Sequence, residues 1–197
     1  MTKPAAMTEL EAVNILLTTI GEQPVNTLTG IQTTDVTIAQ QVLKEVSREV
    51  QSQGWHFNTE KDVELVPDSI NSHITVPIDT ARIDADTKNI VIRNGKLFDL
   101  NNRTYVFADN LKCDIVYYQD FLDLPDVAKK YIATRAARIY ADRMINSESI
   151  HQMIARDEVS ALVDLKEYEG DTADFSMFDS YAVARVMNRG HKRRVLP

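Results

Sequence analysis

The sequence predicts an α+β protein: a four-helix bundle with a small antiparallel β-sheet inserted between helices 2 and 3, and an extended C-terminal segment. Two observations lead to this prediction. Apolar residues recur with the helical period of about 3.6 before residue 54 and after residue 120, whereas between these points they alternate with polar residues as in strands. Hydrophobic residues make up 44% of the 197 residues and charged residues 26%, which is typical of a globular protein with a real core. This composition excludes a fibrous or mainly disordered protein.

The first predicted helix covers residues 9–20 and the second covers residues 34–53. Thr8 and Glu11 have the spacing of a capping box, in which each side chain bonds a free backbone N–H of the first turn. Gly21 is a natural C-terminal cap for the first helix. The apolar stripes consist of Val13, Leu16, Leu17 and Ile20 in the first helix, and of Ala39, Val42, Leu43, Val46 and Val50 in the second. Two amphipathic helices joined by a loop predict a helical hairpin.

Residues 54–120 are predicted to form the β-rich insertion. Its clearest signal is Asn94-Gly95 between two strand-like runs, because an Asn-Gly turn takes positive φ at both residues and closes a β-hairpin. Further strands are expected where apolar and polar residues alternate, at 55–57, 63–65, 74–76, 104–107 and 113–118. Together these runs predict a small, mainly antiparallel sheet.

Helical periodicity returns after Pro125 and predicts two more helices. The third runs to about Met144, and the fourth starts near Ser147 and ends before Gly170. No period is sustained after Gly170. The predicted domains are a helical bundle of residues 1–53 and 121–170, a β-rich insertion of residues 54–120, and a C-terminal docking arm of residues 171–197.

Charge is distributed unevenly along the chain. Residues 185–197 carry five bases and no acid, which leaves 17 bases against 29 acids, a net charge of −12, on residues 1–184. An acidic body repels a phosphate backbone, whereas a basic terminal arm attracts nucleic acid or an acidic protein surface. A solvated, frayed terminus is a third interpretation of the arm. Composition alone does not choose between these interpretations.

Motifs that carry known enzyme chemistry are missing from the sequence. The closest two of its six glycines, Gly21 and Gly30, are nine positions apart, a spacing that fits neither a dinucleotide fingerprint nor a phosphate-binding loop. The four histidines lie in different segments, and the single Cys113 allows neither an intrachain disulfide nor a cysteine-based zinc site. We therefore predict no enzyme activity, no catalytic residue, no cofactor and no metal ligand.

The sequence also argues against membrane insertion. No apolar run approaches the roughly 18 residues that a membrane-spanning helix needs. The N-terminus lacks the apolar core of a signal peptide, so a cytosol-like compartment is expected.

Asp120, Asp123 and Asp126 support one enzymatic alternative. Glycosidic cleavage needs two carboxyl groups across a cleft, and these three residues are candidates for such a pair. Their place just ahead of the third predicted helix favours helix capping and compensation of the helix dipole instead.

The N-terminal half carries a combination of residues that matches a known pattern. It contains Ala12-Val13-Asn14, Leu17, Ile20-Gly21-Glu22, Pro24-Val25 and Thr27-Leu28, followed by Gln51-Ser52, Gly54-Trp55, Phe57-Asn58 and Glu60. Leu65-x-Pro67-Asp68, the hairpin at 90–95 and Asp123-x-Pro125 continue it. The sequence resembles the tail tubular protein A family, the head-to-tail adaptors of short-tailed bacteriophages of the Autographiviridae type. The resemblance covers roughly residues 8–180.

This resemblance implies a structural protein of the virion. Members of the family form a ring of twelve subunits between the portal protein of the capsid and the nozzle protein of the tail. They extend the channel through which the genome leaves, and they carry tail fibres. The implied partners are the portal protein, the tail nozzle protein, the tail fibre protein and further copies of the chain. Assembly in the host cytoplasm is implied, with DNA passing through the channel without specific binding and no membrane involved.

The C-terminal arm is the predicted contact with the portal or with a neighbouring subunit. Its aromatic residues, followed by a charge of +5, look incomplete as a lone terminus. The predicted contact residues are Phe175, Met177, Phe178, Tyr181, Arg185, Arg189, Lys192, Arg193 and Arg194. Two other functions stay open from the residues alone, namely a glycan hydrolase associated with the phage tail and a DNA-binding protein acting through the basic arm.

Overall fold

The computed structural model describes residues 6–30, 32–85 and 88–172. Its helices are α1 (Glu9–Thr19), α2 (Thr34–Gln51), α3 (Asp126–Met144) and α4 (Glu148–Thr172). Its strands are β1 (Thr59–Leu65), β2 (Thr80–Asp84), β3 (Ile90–Arg93), β4 (Lys96–Asp99) and β5 (Leu111–Tyr117). The five strands lie between α2 and α3, and the α+β prediction is confirmed.

Helix α1 begins and ends as its local sequence predicts. The Oγ1 of Thr8 accepts the N–H of Glu11 at 3.2 Å, and the Oε2 of Glu11 accepts the N–H of Thr8 at 2.7 Å. These bonds form the predicted capping box, and the bond from the Thr8 backbone is the main cause of the lowered pKa of the Glu11 carboxyl. Gly21 follows the helix with φ +86°, a left-handed conformation that glycine adopts without strain.

Helix α3 is the centre of the helical core, because it packs against each of the other three helices. The predicted stripe of α2 is buried, and α4 contributes Ala161 and Leu165 to the same core. Small residues of α3 such as Ala128 and Ala136 are fully covered, which lets the neighbouring helices approach closely. Each large aliphatic side chain buried in this core contributes about 1.5–3 kcal/mol.

The β region has two layers that cover a second core. One layer is an antiparallel sheet in the order β1-β5-β2, and the other contains the hairpin β3-β4. The sheet contributes Ile83, Leu111, Cys113 and Ile115 to the core, and the hairpin layer contributes Ile74, Val76, Leu97 and Phe107. Asn94 and Gly95 have φ of +52° and +70°, so the predicted Asn-Gly hairpin is confirmed.

Three of the predicted strands do not form. Residues 56–58 make a 3₁₀ turn, which Asn58 closes by accepting the N–H of Trp55 at 2.9 Å. Segments 74–76 and 104–107 make only isolated bridges. Pro77 ends the first of these runs because it has no N–H for a ladder. Strand β2 escapes prediction, since Ile83 is its one large apolar residue.

Helix α4 is longer than the sequence predicts. It passes through Gly170 and reaches Thr172, whose Oγ1 donates to the carbonyl of Tyr168 at 2.7 Å. Glycine in a helix costs only about 1 kcal/mol relative to alanine, so it marks a helix end only where another signal supports it. The predicted end of the fourth helix before Gly170 is therefore wrong.

Candidate functional site

The nine predicted contact residues, Phe175 to Arg194, lie outside the described residues. The part of the molecule that leads to them is α4, so its placement and its outer surface define the candidate site. Ile154, Glu158, Ala161 and Leu165 recur at spacings of three and four and face α3. The side of α4 that points away from α3 is the candidate interaction surface.

A charged cluster fixes the middle of α4 to the bundle. The carboxylate of Glu158 accepts Arg138 Nε and, at 3.3 Å, Arg135 Nη1. Arg135 also donates from Nη2 to Glu49 Oε1 of α2 at 2.6 Å, so one network joins α2, α3 and α4. Glu158 is only 9% exposed, and its hydrogen bond is the main cause of the raised pKa of the Arg138 guanidinium. Removing the Glu158 carboxylate would leave the two largely buried guanidinium groups with less compensating negative charge, which destabilises the fold.

Both ends of α4 are also tied to neighbouring elements. Near its start, His151 Nδ1 lies 2.9 Å from the carboxylate of Asp142 on α3. Near its end, Glu169 Oε2 accepts the backbone N–H of His56 at 2.7 Å, which links α4 to the turn that precedes β1. The helix is thus held along its length, up to its last described turn.

The outward side of α4 exposes apolar side chains. Met153 and Val159 are each 63% exposed and Val163 is 48% exposed. Val159 and Val163 are one turn apart, so their side chains are neighbours on the helix surface. Adjacent exposed apolar residues on a rigid helix favour contact with another protein. These exposed side chains offer apolar area for packing against another protein.

A cavity lies where the bundle meets the β region. It measures about 790 Å³, and its lining includes Lys44, Arg48 and Gln51 of α2. Gln51 is 2% exposed, accepts the N–H of Gln119 at 2.7 Å and donates to the Gln119 carbonyl at 3.1 Å. Asn58 adds bonds to the carbonyls of Gln51 and Tyr117. These buried amides connect α2 to the end of β5. Their hydrogen bonds hold the bundle and the β region together.

The three candidate carboxylates do not converge on one cleft. Asp120 and Asp123 line the junction cavity, whereas Asp126 lines a separate groove beside α1. Asp126 accepts the N–H of Met7 at 3.2 Å and lies 3.8 Å from Lys129 Nζ. The N-cap residue of α3 is Pro125, which makes no side-chain capping bond, so capping is wrong for this group. Asp126 does lie in the first turn, where an acid suits the helix dipole.

The single cysteine and the potential metal-binding side chains also show no sign of a catalytic site in the described residues. Cys113 is 2% exposed, and its burial raises the pKa of its thiol to about 11, which keeps it protonated at neutral pH. Within residues 6–30, 32–85 and 88–172, no three His, Cys, Asp or Glu side chains are arranged to hold a metal ion. None of the helices in these ranges combines the length and apolar composition that a membrane crossing requires.

Comparison with known proteins places this architecture in a family. The family described as tail tubular protein matches residues 10–175, which span all four helices and the whole β region. The chain belongs to the tail tubular protein family. Tail tubular protein A of Klebsiella phage KP34 is similar, with 30% identity over 138 residues that make up 68% of this chain and 72% of the relative.

Membership of the tail tubular protein family confirms three predictions. The protein is a structural component of the bacteriophage virion, it is located in the tail, and it is not an enzyme. A glycan hydrolase built on Asp120, Asp123 and Asp126 is thereby ruled out as the function. As a tail component, the protein meets other proteins of the particle.

Sequence reasoning misses the parts of the site that only the fold brings together. Arg135 and Arg138 have the i, i+3 spacing that places two cations on one helix face, but nothing in the sequence pairs them with Glu158. Met153 is a large apolar residue, a type that is usually buried in a helix of this kind, but it is exposed. Val159 and Val163 cannot be recognised as surface residues from the sequence, because the helical repeat of apolar residues in α4 is mostly that of its buried side.

Proposed function

We propose that this tail tubular protein is a ring-forming head-to-tail adaptor that joins the portal to the tail nozzle. The observation that carries the proposal is the family match over residues 10–175. In this role the ring extends the channel through which DNA leaves and supports the attachment of tail fibres. Twelve subunits form the ring, in line with the family resemblance of the sequence.

Helix α4 and the residues after it are the proposed grip on the portal. The helix is fixed to α3 by Glu158, and it exposes Val159 and Val163 away from the bundle. The aromatic segment from Phe175 to Tyr181 and the five bases after it continue from this helix. Apolar contact supplies affinity in such an interface, while the charges supply orientation and steering.

The acidic body suits a channel wall. Residues 1–184 carry a net charge of −12, the same sign as DNA. A wall of that sign keeps passing phosphates from binding, because unlike a basic surface it releases no counterions on contact. DNA therefore passes through the proposed channel without a specific site.

Removing the C-terminal arm tests the portal contact. Since α4 reaches Thr172, the cut belongs after that residue, and deletion of residues 173–197 leaves the described core intact. We expect the shortened chain to fold with an unchanged melting temperature and to lose binding to portal-filled heads in a pull-down. A second variant, R189Q/K192Q/R193Q/R194Q, removes four positive charges and keeps the aromatic segment. Its head binding shows how much of the affinity depends on charge and how much on apolar contact. Head binding by the shortened chain at the level of the full chain would reject the proposed grip.

The same chains test the remaining DNA-binding alternative. If the basic arm bound the genome, the full chain would retain duplex DNA with an affinity that falls steeply as salt rises, and the deletion would abolish it. We expect no salt-dependent DNA retention by either chain.

A further inference from the structure

The two layers of the β region expose opposite sides of one core. Leu97 of β4 and Cys113 of β5 both face that core. Because side chains alternate along a strand, Lys96 and Phe98 point away from the core on one side, and Asp114 points away on the other. The burial pattern agrees, since β5 alternates between buried and exposed residues over Leu111–Ile115.

The hairpin side is cationic, and we call it the cationic face: Arg93, Lys96, Phe98, Tyr105 and His73. Arg93 and Lys96 are direct partners in the β3-β4 register, so two positive charges stand opposite each other. The Arg93 guanidinium lies 4.2 Å from the Phe98 ring centroid, and Lys96 Nζ lies 3.0 Å from His73 Nδ1. In the described part of the chain, the bases that form ion pairs belong to α3 and α4, and neither Arg93 nor Lys96 has a carboxylate partner.

The sheet side is acidic, and we call it the acidic face: Asp62, Glu64, Asp84 and Asp114. Asp84 and Asp114 are direct partners in the β2-β5 register, and Asp114 Oδ1 accepts the N–H of Asp62 at 3.0 Å. Lys112 and Arg82 lie on the same side of this sheet and offset two of the four charges. Like charges directly opposite on neighbouring strands are destabilising, so each face carries an unfavourable pair in the lone subunit.

We infer that the cationic face of one subunit docks on the acidic face of a second copy of this chain. Each unfavourable pair then meets charges of the opposite sign, which relieves the repulsion within both subunits. The two faces differ, so the contact is head-to-tail, and repetition of such a contact closes into a ring when its rotation allows. The inference rests on the proposed ring and names the surfaces through which its subunits meet.

A second copy fits the cationic face better than nucleic acid does. Base stacking needs an open aromatic ring, but Phe98 is covered by Arg93 and by the edge of Tyr105 at 4.8 Å between centroids. The net charge of −12 on residues 1–184 also opposes approach of a phosphate backbone. The matching acidic surface, by contrast, is present on every copy of the chain.

Charge reversal tests the contact on the full chain by sedimentation over a concentration series. R93E/K96E makes both faces acidic, and E64K/D84K makes the acidic face basic. We expect the self-association constant of each variant to fall about tenfold or more, and association of the parent chain to weaken as salt rises from about 0.05 M to about 0.5 M. An equimolar mixture of the two variants should associate again, because each supplies the face that the other has lost. Equal melting temperatures of both variants and the parent chain control for folding.

Zero-length crosslinking identifies the docked residues. Carbodiimide joins a lysine amine to a carboxylate only when they touch, and packed sheets lie about 10 Å apart, so Lys96 does not reach the acidic face of its own subunit. We expect crosslinks from Lys96 to Glu64 or Asp84 in the associated parent chain. In a mixture of isotope-labelled and unlabelled chains, some of these crosslinked peptides should join a labelled to an unlabelled segment, which only a crosslink between two subunits produces.

Three results would overturn the inference. They are a parent chain that stays monomeric at every concentration, association that survives R93E/K96E unchanged, and crosslinks from Lys96 only to other surfaces. Duplex DNA binding that R93E/K96E removes, without self-association of the parent chain, would assign the cationic face to nucleic acid. Head binding is measured separately on the same variants, so a failed subunit contact is distinguishable from a failed portal contact.

Discussion

Gly54 lies at the junction of the bundle and the β region, and its backbone requires glycine. Its φ is +79°, and a Cβ built there would lie 2.7 Å from Arg82 Nη2 and 3.1 Å from Val116 Cγ2. We expect Gly54→Ala to lower the free energy of unfolding by about 1–3 kcal/mol in urea denaturation, from strain and crowding together.

Gly170 provides the matched control for that substitution. It lies in α4 with nothing within 4 Å of its Cβ position, so Gly170→Ala should leave stability unchanged or raise it by up to about 1 kcal/mol. Equal effects of the two substitutions would contradict the proposed role of Gly54.

Cys113 offers a second test at the residue scale. Because it is 2% exposed and burial raises the pKa of its thiol from 9.0 to about 11, iodoacetamide at pH 8 should modify it only after denaturation. The raised pKa also contributes stability that is present below pH 9 and lost as the pH rises from 9.0 to about 11. Mass spectrometry of native and urea-treated protein measures the labelling, and rapid labelling of the native chain would show that the β core is open.

Single residues are predictable from sequence where the physics is local. The Thr8–Glu11 capping box and the Asn94-Gly95 turn depend on neighbours within three positions, and both are confirmed. The bond from Glu158 to Arg138 spans twenty positions and depends on how two helices pack, so no local pattern contains it.

The charged cluster around Glu158 helps to hold α4 on the bundle. Glu158→Gln keeps the shape of the side chain but leaves Arg135 and Arg138 without their shared, nearly buried anion. We expect a loss of about 2–3 kcal/mol in the free energy of unfolding, measured by urea denaturation.

The exposed pair Lys130–Asp164 joins the same two helices and serves as control. Both side chains are largely solvated, at 55% and 42% exposure, so Asp164→Asn should cost less than about 1 kcal/mol. A loss from Asp164→Asn as large as that from Glu158→Gln would mean that burial does not set the strength of these pairs.

Elements with a strong period are predictable, and weakly patterned ones are not. The four helices follow from apolar stripes that repeat over three or more turns. Strand β2 has Ile83 as its one large apolar residue, and it forms because β5 offers it a ladder. The end of α4 beyond Gly170 depends on continued hydrogen bonding rather than on a terminal signal.

At the scale of the whole molecule, the chain combines a helical core centred on α3 with a two-layered β core inserted between α2 and α3. The sequence predicts this division, since the period changes at residues 54 and 120. It does not predict that the β layers carry opposite charge on their outer sides. That arrangement depends on the strand register, which pairs Arg93 with Lys96 and Asp84 with Asp114.

The charge asymmetry of the chain acquires a structural meaning at this scale. The acidic body repels DNA, while the basic residues come later in the sequence than a helix that exposes apolar residues. The proposed binding surfaces at the arm and the β region suit a part that is held between neighbours in an assembly.

The proposed seat of this adaptor on the portal can be tested by the mass of purified portal rings before and after mixing with the full chain. We expect one discrete complex whose added mass corresponds to a closed ring of subunits of 22.3 kDa each. The same mixture made with the chain lacking residues 173–197 should show portal rings alone. Portal rings whose mass is unchanged by the full chain would show that the protein does not join the portal.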